Sequence, residues 1–158
     1  MKCVAFCFLL LVGDQSLCVA EVTKLPKEDR KVLEDSSGVR EIHATAELPP
    51  AVTALCADEN GRLADPGQNW EPTDVVGPNS SLPRKRLVWA AINGDYYVVH
   101  YERGGIAHSF HILVVTAAKN GGKPKIVWRA MGNRLKNYSE FVSTLHTGKL
   151  DDRLDYAH

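Results

Sequence analysis

The fold is decided by residues 86–115, which read RLVWAAINGDYYVVHYERGGIAHSFHILVV. Segments rich in β-branched and aromatic residues alternate there with glycine-containing turns, as is typical of antiparallel strands. Asn93-Gly94 is a strong hairpin signal, and Gly104-Gly105 predicts a second tight turn. The pattern predicts an antiparallel meander of about four strands within roughly residues 84–131. The predicted strands cover 86–92, 95–103, 106–118 and 123–131.

Helical patterns flank the predicted sheet on both sides in the sequence. Residues 138–145 carry apolar side chains at helical spacing, and Asn137 with Glu140 forms a capping-box pattern before them. Two shorter helices are predicted over Lys27–Asp35 and Pro49–Ala57. The fold class is therefore α+β, with the C-terminal helix and one or two short N-terminal helices packed on one face of the sheet.

Length and charge set the broad class. The chain has 158 residues, a formal net charge of zero, 44% hydrophobic and 24% charged residues. These values are typical of one globular domain and argue against wholesale disorder. A neutral chain lacks the general attraction to phosphates on which non-specific nucleic-acid binders depend, so no nucleic-acid partner is expected. We divide the chain into three parts. Residues 1–20 are the N-terminal signal segment described below, residues 21–38 are a charged and weakly ordered segment, and residues 39–158 are a single domain.

The N-terminal segment has the features of a cleaved secretory signal peptide. Met1-Lys2 supplies a positive charge, and the apolar run Cys3–Gly13 is too short to span a membrane. Small residues before Glu21 predict cleavage after Ala20, export to the periplasm or outside the cell, and no membrane span in the mature chain. A buried N-terminal helix and a lipid anchor at Cys18 are the alternatives.

Only Cys56 of the four cysteines would remain after cleavage, so no internal disulfide is expected. Cys56 follows apolar residues at helical spacing, and no catalytic motif surrounds it. A buried packing cysteine is the expected role.

The densest group of reactive side chains lies around the Gly104-Gly105 turn. With a two-residue turn, His100, Glu102 and His111 would share one face of the sheet. Two imidazoles and a carboxylate could bind a metal such as zinc or serve as acid and base. The alternative is that these histidines are structural or contact a ligand. No cofactor is expected from any sequence motif.

The polar, proline-rich stretch 58–83 is long for a connection within a compact domain. Trp70 lies in its middle and either fastens the loop to the sheet or offers a contact surface, with Asp65 and Asp74 near the same rim. Tyr96 is a further candidate ligand contact, because the predicted register places it on the same face as the histidines.

These observations favour a non-enzymatic binding module for a protein, a peptide or a small ligand. Arg84-Lys85-Arg86 is read either as a solvated strand start or as a contact for an anionic partner. There are two alternative functions. One is a small metal-dependent or acid–base enzyme, which is less favoured because no strong catalytic motif is present. The other is a structural envelope protein without a discrete site.

Overall fold

The computed structural model describes residues 24–73, 81–117 and 122–150. It confirms the α+β class, with a five-stranded antiparallel sheet in the order β1-β2-β3-β4-β5. The predicted cleavage site and Asp74 lie outside the described residues. The strands are β1 (Arg40–Ile42), β2 (Lys85–Asn93), β3 (Tyr96–Arg103), β4 (Ser109–Thr116) and β5 (Lys125–Gly132), and the helices are α1 (Lys27–Glu34), α2 (Pro50–Cys56) and α3 (Tyr138–His146).

The sheet has one more strand than the meander that the sequence predicts. Arg40 and Ile42 of β1 pair with Ile92 and Ala90 of β2 and extend the sheet by one short edge strand. The sequence also allows a strand within Val39–Ala44, and the structure has a strand of three residues there. In the described part of the chain, no helix combines the length and apolar character needed to cross a bilayer.

Helices cover both faces of the sheet, which corrects the expectation that all of them pack on one face. Face A, the side that carries Trp89 and Val98, packs against α1 and α3. Face B, the side that carries Leu87 and Val99, packs against α2, including the buried Cys56. Burial on both faces explains why the strands read as nearly continuous apolar runs rather than as alternating ones.

A small polar network attaches α1 to the sheet and to α3. The Asn93 amide nitrogen donates to the carbonyl oxygens of Val32 (3.1 Å) and Asp35 (2.8 Å) at the end of α1. The same nitrogen lies 2.9 Å from the Tyr138 hydroxyl, which in turn donates to the Leu33 carbonyl at 2.7 Å. The Asn93-Gly94 hairpin is thus also an anchor, because the Asn93 side chain donates to carbonyl groups at the C-terminal end of α1.

The α3 helix begins as its sequence predicts. The Asn137 side chain accepts from the Glu140 N–H at 2.9 Å, and the Glu140 carboxylate accepts from the Lys136 N–H at 2.6 Å. The first bond satisfies an amide group that the first helical turn leaves without a partner, and the second holds the residue before the cap against the helix. Phe141 and Leu145 are fully buried against face A, as predicted.

The connection between β3 and β4 differs from the predicted two-residue turn. Arg103 pairs directly with Ser109, so the connection is the five-residue loop 104–108. The register therefore differs by an odd number of residues from the predicted one. Such a difference moves every side chain of β4 to the opposite face relative to β3.

A distant segment of the chain explains why this loop is not a tight turn. A Cβ on Gly104 would overlap the Glu71 carbonyl oxygen and lie 2.8 Å from the carbonyl carbon of Pro72. The Gly104 N–H donates to the Arg84 carbonyl at 2.9 Å, and the Gly105 N–H donates to the Pro72 carbonyl at 3.3 Å. Gly104 therefore allows a close backbone approach between this loop and residues 71–72.

Residues 58–73 are attached to the sheet along much of their length. Ala64 forms a parallel bridge with Arg86, its N–H donates to the Lys85 carbonyl, and its carbonyl accepts from the Leu87 N–H at 2.9 Å. The Asp58 carboxylate accepts backbone N–H bonds from Asn60, Arg62 and Arg84. This polar stretch thus has a defined path beside β2 despite its lack of periodicity.

We expect Phe141→Ala to lower the free energy of unfolding by about 3–5 kcal/mol, because the ring is fully buried and its removal leaves a cavity. Chemical denaturation of the wild type and variant measures the loss. Ser143→Ala, at an exposed position of the same helix, is the control and should change stability by less than about 0.5 kcal/mol. A loss below about 1 kcal/mol in Phe141→Ala would contradict the packing of α3 on face A.

Gly104→Ala should destabilise the protein by about 1–3 kcal/mol, because the added methyl group collides with backbone rather than with a movable side chain. Limited proteolysis should also cleave within 58–83 faster in this variant. Gly38→Ala is the matched control, since a Cβ there meets nothing within 4 Å. Wild-type stability and proteolysis in Gly104→Ala would show that residues 71–72 do not pack on the loop.

Candidate functional site

The predicted group of His100, Glu102 and His111 does not form, because the longer β3–β4 loop changes the register. His100 pairs with Ile112, whereas His111 pairs with Tyr101, so the two imidazoles leave the sheet on opposite faces. Among the described residues, no group of three or more His, Cys, Asp or Glu side chains could hold a metal ion.

His100 lies in the core on face A. Its Nε2 accepts from the Leu135 N–H at 3.0 Å, so its Nδ1 carries the proton and donates to the His111 carbonyl at 2.9 Å. Burial lowers the pKa of His100 to about 4. The ring also contacts Trp89 and Phe110 at centroid distances of 5.4 and 5.9 Å. His100 is therefore a neutral histidine with both ring nitrogens bonded inside the protein.

Glu102 has a different environment, although it also lies on face A and is buried. Its carboxylate oxygens lie 2.6 Å from Arg86 Nε and 2.8 Å from His108 Nε2. Trp70 lies against both partners. The Arg86 guanidinium carbon is 4.9 Å from the centroid of the Trp70 ring, and the centroids of the Trp70 and His108 rings are 5.3 Å apart. We call Trp70, Arg86, Glu102 and His108 the Glu102 cluster. Its contacts fasten Trp70, and the loop that carries it, to the sheet.

Tyr96 lies at the opposite end of β3 from Glu102. Its hydroxyl donates to the Asp29 carboxylate at 2.5 Å, and this hydrogen bond, with burial, raises the pKa of Tyr96 to about 12. Tyr96 thus connects β3 to α1, and the structure does not bring it together with Trp70 or the histidines.

A cleft of about 480 Å³ opens at the β3–β4 end of the sheet, where the 104–108 loop forms one wall. Three of its lining residues are cationic, namely Arg84, Lys85 and Arg103, and Glu59 is the one acidic residue among them. We call this feature the basic cleft. Arg84 and Lys85 belong to the basic run that the sequence offers as a contact for an anionic partner, whereas Arg103 is not among the candidate site residues predicted from the sequence.

The three cations of the basic cleft differ in how far their charges are already paired. Arg84 Nη1 lies 3.7 Å from a Glu59 carboxylate oxygen, and Lys85 Nζ donates to the Ala57 carbonyl at 2.8 Å. Within the described part of the chain, the buried Nε of Arg84 has no hydrogen-bond partner, and Arg103 makes no ion pair. Burial, followed by the nearby charge of Arg103, lowers the pKa of Lys85. The cleft therefore holds mutually repelling positive charges.

His111 contributes a neutral polar wall to the basic cleft. Its Nε2 lies 2.8 Å from Ser109 Oγ, and its ring stacks on Tyr101 with a centroid distance of 5.1 Å and an interplanar angle of 11°. Burial, and then the charges of Arg103 and Lys85, lower the pKa of His111 to about 4. Ser109 and His111 can offer hydrogen bonds to a ligand, but at neutral pH they add no charge.

The sequence contains an indication of this cleft, which can be found from the pairing of residues across an antiparallel hairpin. Arg84-Lys85 and Arg103 flank the outer ends of the Asn93-Gly94 hairpin, where antiparallel pairing brings Lys85 opposite Arg103. The pairing also depends on a bulge between Leu87 and Trp89, which the sequence does not mark. The reading of Arg84-Lys85-Arg86 as a contact for an anionic partner stays a prediction.

Comparison with known proteins adds no relative from which residue roles could be transferred. No family model, no curated protein and no solved structure matches the chain.

Proposed function

We propose that this protein is a non-enzymatic binding module that takes an anionic ligand in the basic cleft. The observation that carries the proposal is Arg103, which lines the cleft and has no ion-pair partner among the described residues. Arg84 and Lys85 lie in the same cleft, and a volume of about 480 Å³ is within the range of small-molecule sites.

The balance of charge supports this proposal. The whole chain is neutral, so three cations around one cleft do not follow from a basic composition. The pKa of Lys85 is lowered in part by Arg103, which means that the two charges repel each other in the folded protein. An anion bound between them would offset that repulsion, and its binding would be favourable for this reason.

The geometry favours binding over the acid–base or metal chemistry that the sequence left open. His100 and His111 are on opposite faces, and burial keeps both imidazoles neutral at pH 7. Glu102 is already bonded to Arg86 and His108. The cleft also distinguishes this proposal from a structural envelope protein, which needs no open site with unpaired charge.

We also propose that the chain is exported and cleaved after Ala20. The support is the sequence pattern of Met1-Lys2 and Cys3–Gly13. Cleavage there would leave the described domain intact, since Leu25 is the first buried residue among those described and α1 begins at Lys27.

Titration calorimetry with citrate, inorganic phosphate and the monoanion hexanoate tests the proposed cleft. We expect at least one of these anions to bind, with an affinity that falls as ionic strength rises. Arg103→Gln should weaken that binding about tenfold or more, since a charge-assisted hydrogen bond is lost. Arg40→Gln removes the same charge from another strand, at a position 58% exposed and paired with Glu47, and should leave binding unchanged.

Two results would contradict the anion-binding proposal. One is the absence of detectable binding of all three anions at millimolar concentration. The other is equal weakening in Arg103→Gln and Arg40→Gln, which would show a response to net charge alone.

N-terminal sequencing of the protein from its native host tests export. We expect the mature chain to begin at or near Glu21. An intact Met1 in the soluble cytoplasmic fraction would show that the proposed cleavage does not occur.

A further inference from the structure

We infer that the ligand of the basic cleft is a carboxylate attached directly to an apolar group. This inference rests on the proposed anion-binding function and adds the chemical class of the ligand. Two features of the cleft support the inference. One is a site for one small anion, and the other is an apolar surface beside that site.

The site for the anion is formed by Arg103 and Ser109. The two residues are directly opposite each other in the β3–β4 pair, so their side chains leave the same face about 5 Å apart at Cβ. A guanidinium donates two parallel hydrogen bonds that match the two oxygens of a carboxylate. The Ser109 hydroxyl, already held by His111 at 2.8 Å, adds one further polar contact at the same point.

The remaining charges of the cleft favour a monoanion over a more highly charged ligand. Arg84 has a Glu59 oxygen at 3.7 Å, and Lys85 is held by the Ala57 carbonyl. Arg103 is the one of the three cations whose side chain has no hydrogen-bond or ion-pair partner among the described residues. A phosphate dianion would bring a second negative charge into a cleft that already holds the Glu59 carboxylate, and this repulsion would weaken its binding relative to a monoanion.

The apolar surface lies on the 104–108 loop and on β5. Ile106 is 94% exposed although it is a large aliphatic residue, and it lines the cleft together with Ala107 and Met131. Met131 pairs with His111 across β4 and β5, so it lies beside the polar wall of the cleft. An apolar group that extends from a carboxylate on Arg103 would remove this surface from water, which is the main source of affinity for such a group.

Two sources supply this chemistry, a free organic acid and the C-terminal residue of a peptide that ends in an apolar side chain. Both present a carboxylate next to an aliphatic group. The cleft geometry is common to both, and the experiment below distinguishes them.

Titration calorimetry with acetate, butyrate, hexanoate and octanoate tests the inference on the full mature chain. We expect the affinity to rise about twofold to fourfold for each added methylene that the cleft covers. Ile106→Ser should flatten this increase and leave acetate binding unchanged. Ile126→Ser is the matched control, because Ile126 is 37% exposed on β5 and does not line the cleft; it should retain the full increase.

A second set of probes identifies the source. The probes are 4-methylpentanoate, acetyl-Gly-Gly-Leu with a free carboxylate, and the same peptide as its amide. The amide should not bind in either case. Tighter binding of the peptide acid than of 4-methylpentanoate supports a peptide C-terminus, and the reverse order supports a free acid.

The two proposals fail in distinguishable ways. A chain-length series without slope, binding of inorganic phosphate tighter than hexanoate, or binding of the peptide amide would overturn the carboxylate inference and leave an anion site at Arg103. Binding of all probes unaffected by Arg103→Gln would overturn the proposed function itself.

Discussion

The Glu102 carboxylate is the interaction on which the arrangement of the loops depends. A buried carboxylate is costly unless it is paired, and Glu102, which is 3% exposed, is paired with both Arg86 and His108. Arg86 belongs to β2, and His108 ends the loop that forms one wall of the basic cleft. Trp70 packs on both and brings residues 58–73 against the sheet. One carboxylate thus fixes the positions of two loops that the strands alone would leave unspecified.

The coverage of the sheet by helices on both faces imposes a second constraint. Polar groups inside such a sheet have no access to water, so each needs a partner within the protein. His100 is bonded at both nitrogens, Asn93 holds the end of α1, and Trp89 Nε1 donates to the Leu135 carbonyl at 2.9 Å. These bonds join face A to α1 and to the segment before α3. The polar residues of the core therefore fix how the helices are placed.

Much of the fold could be predicted because its signals are local. The Asn93-Gly94 hairpin, the capped start of α3 and the burial of Phe141 each depend on residues close together in the sequence. The β3–β4 connection could not be predicted in this way. Gly104-Gly105 indicates a tight turn, but Gly104 packs on Glu71 and Pro72, more than thirty residues earlier. That contact sets the loop length, the register of β4 and hence the face of His111.

The basic cleft as a whole is not evident from the sequence for a similar reason, although two of its cations belong to the basic run Arg84-Lys85-Arg86. Its cations lie on different strands, and a bulge between Leu87 and Trp89 sets their alignment. Alternation along a strand predicts faces only while the register is regular. The histidines stand out in the sequence by residue type alone. The cleft, in contrast, is defined by the positions of the 104–108 loop and of the first residues of β2.

The buried histidines have a consequence for folding in acid. An unfolded chain takes up protons at His100 and His111 near pH 6.5, but the folded chain resists this until about pH 4. Between these values the unfolded state binds more protons, so acidification shifts the equilibrium toward unfolding. The cost of protonating the unfolded chain first is on the order of 3 kcal/mol of stability per histidine, accumulated as the pH falls from 6.5 to 4. The burial that holds the sheet together at neutral pH thus limits how acidic a medium the fold can withstand.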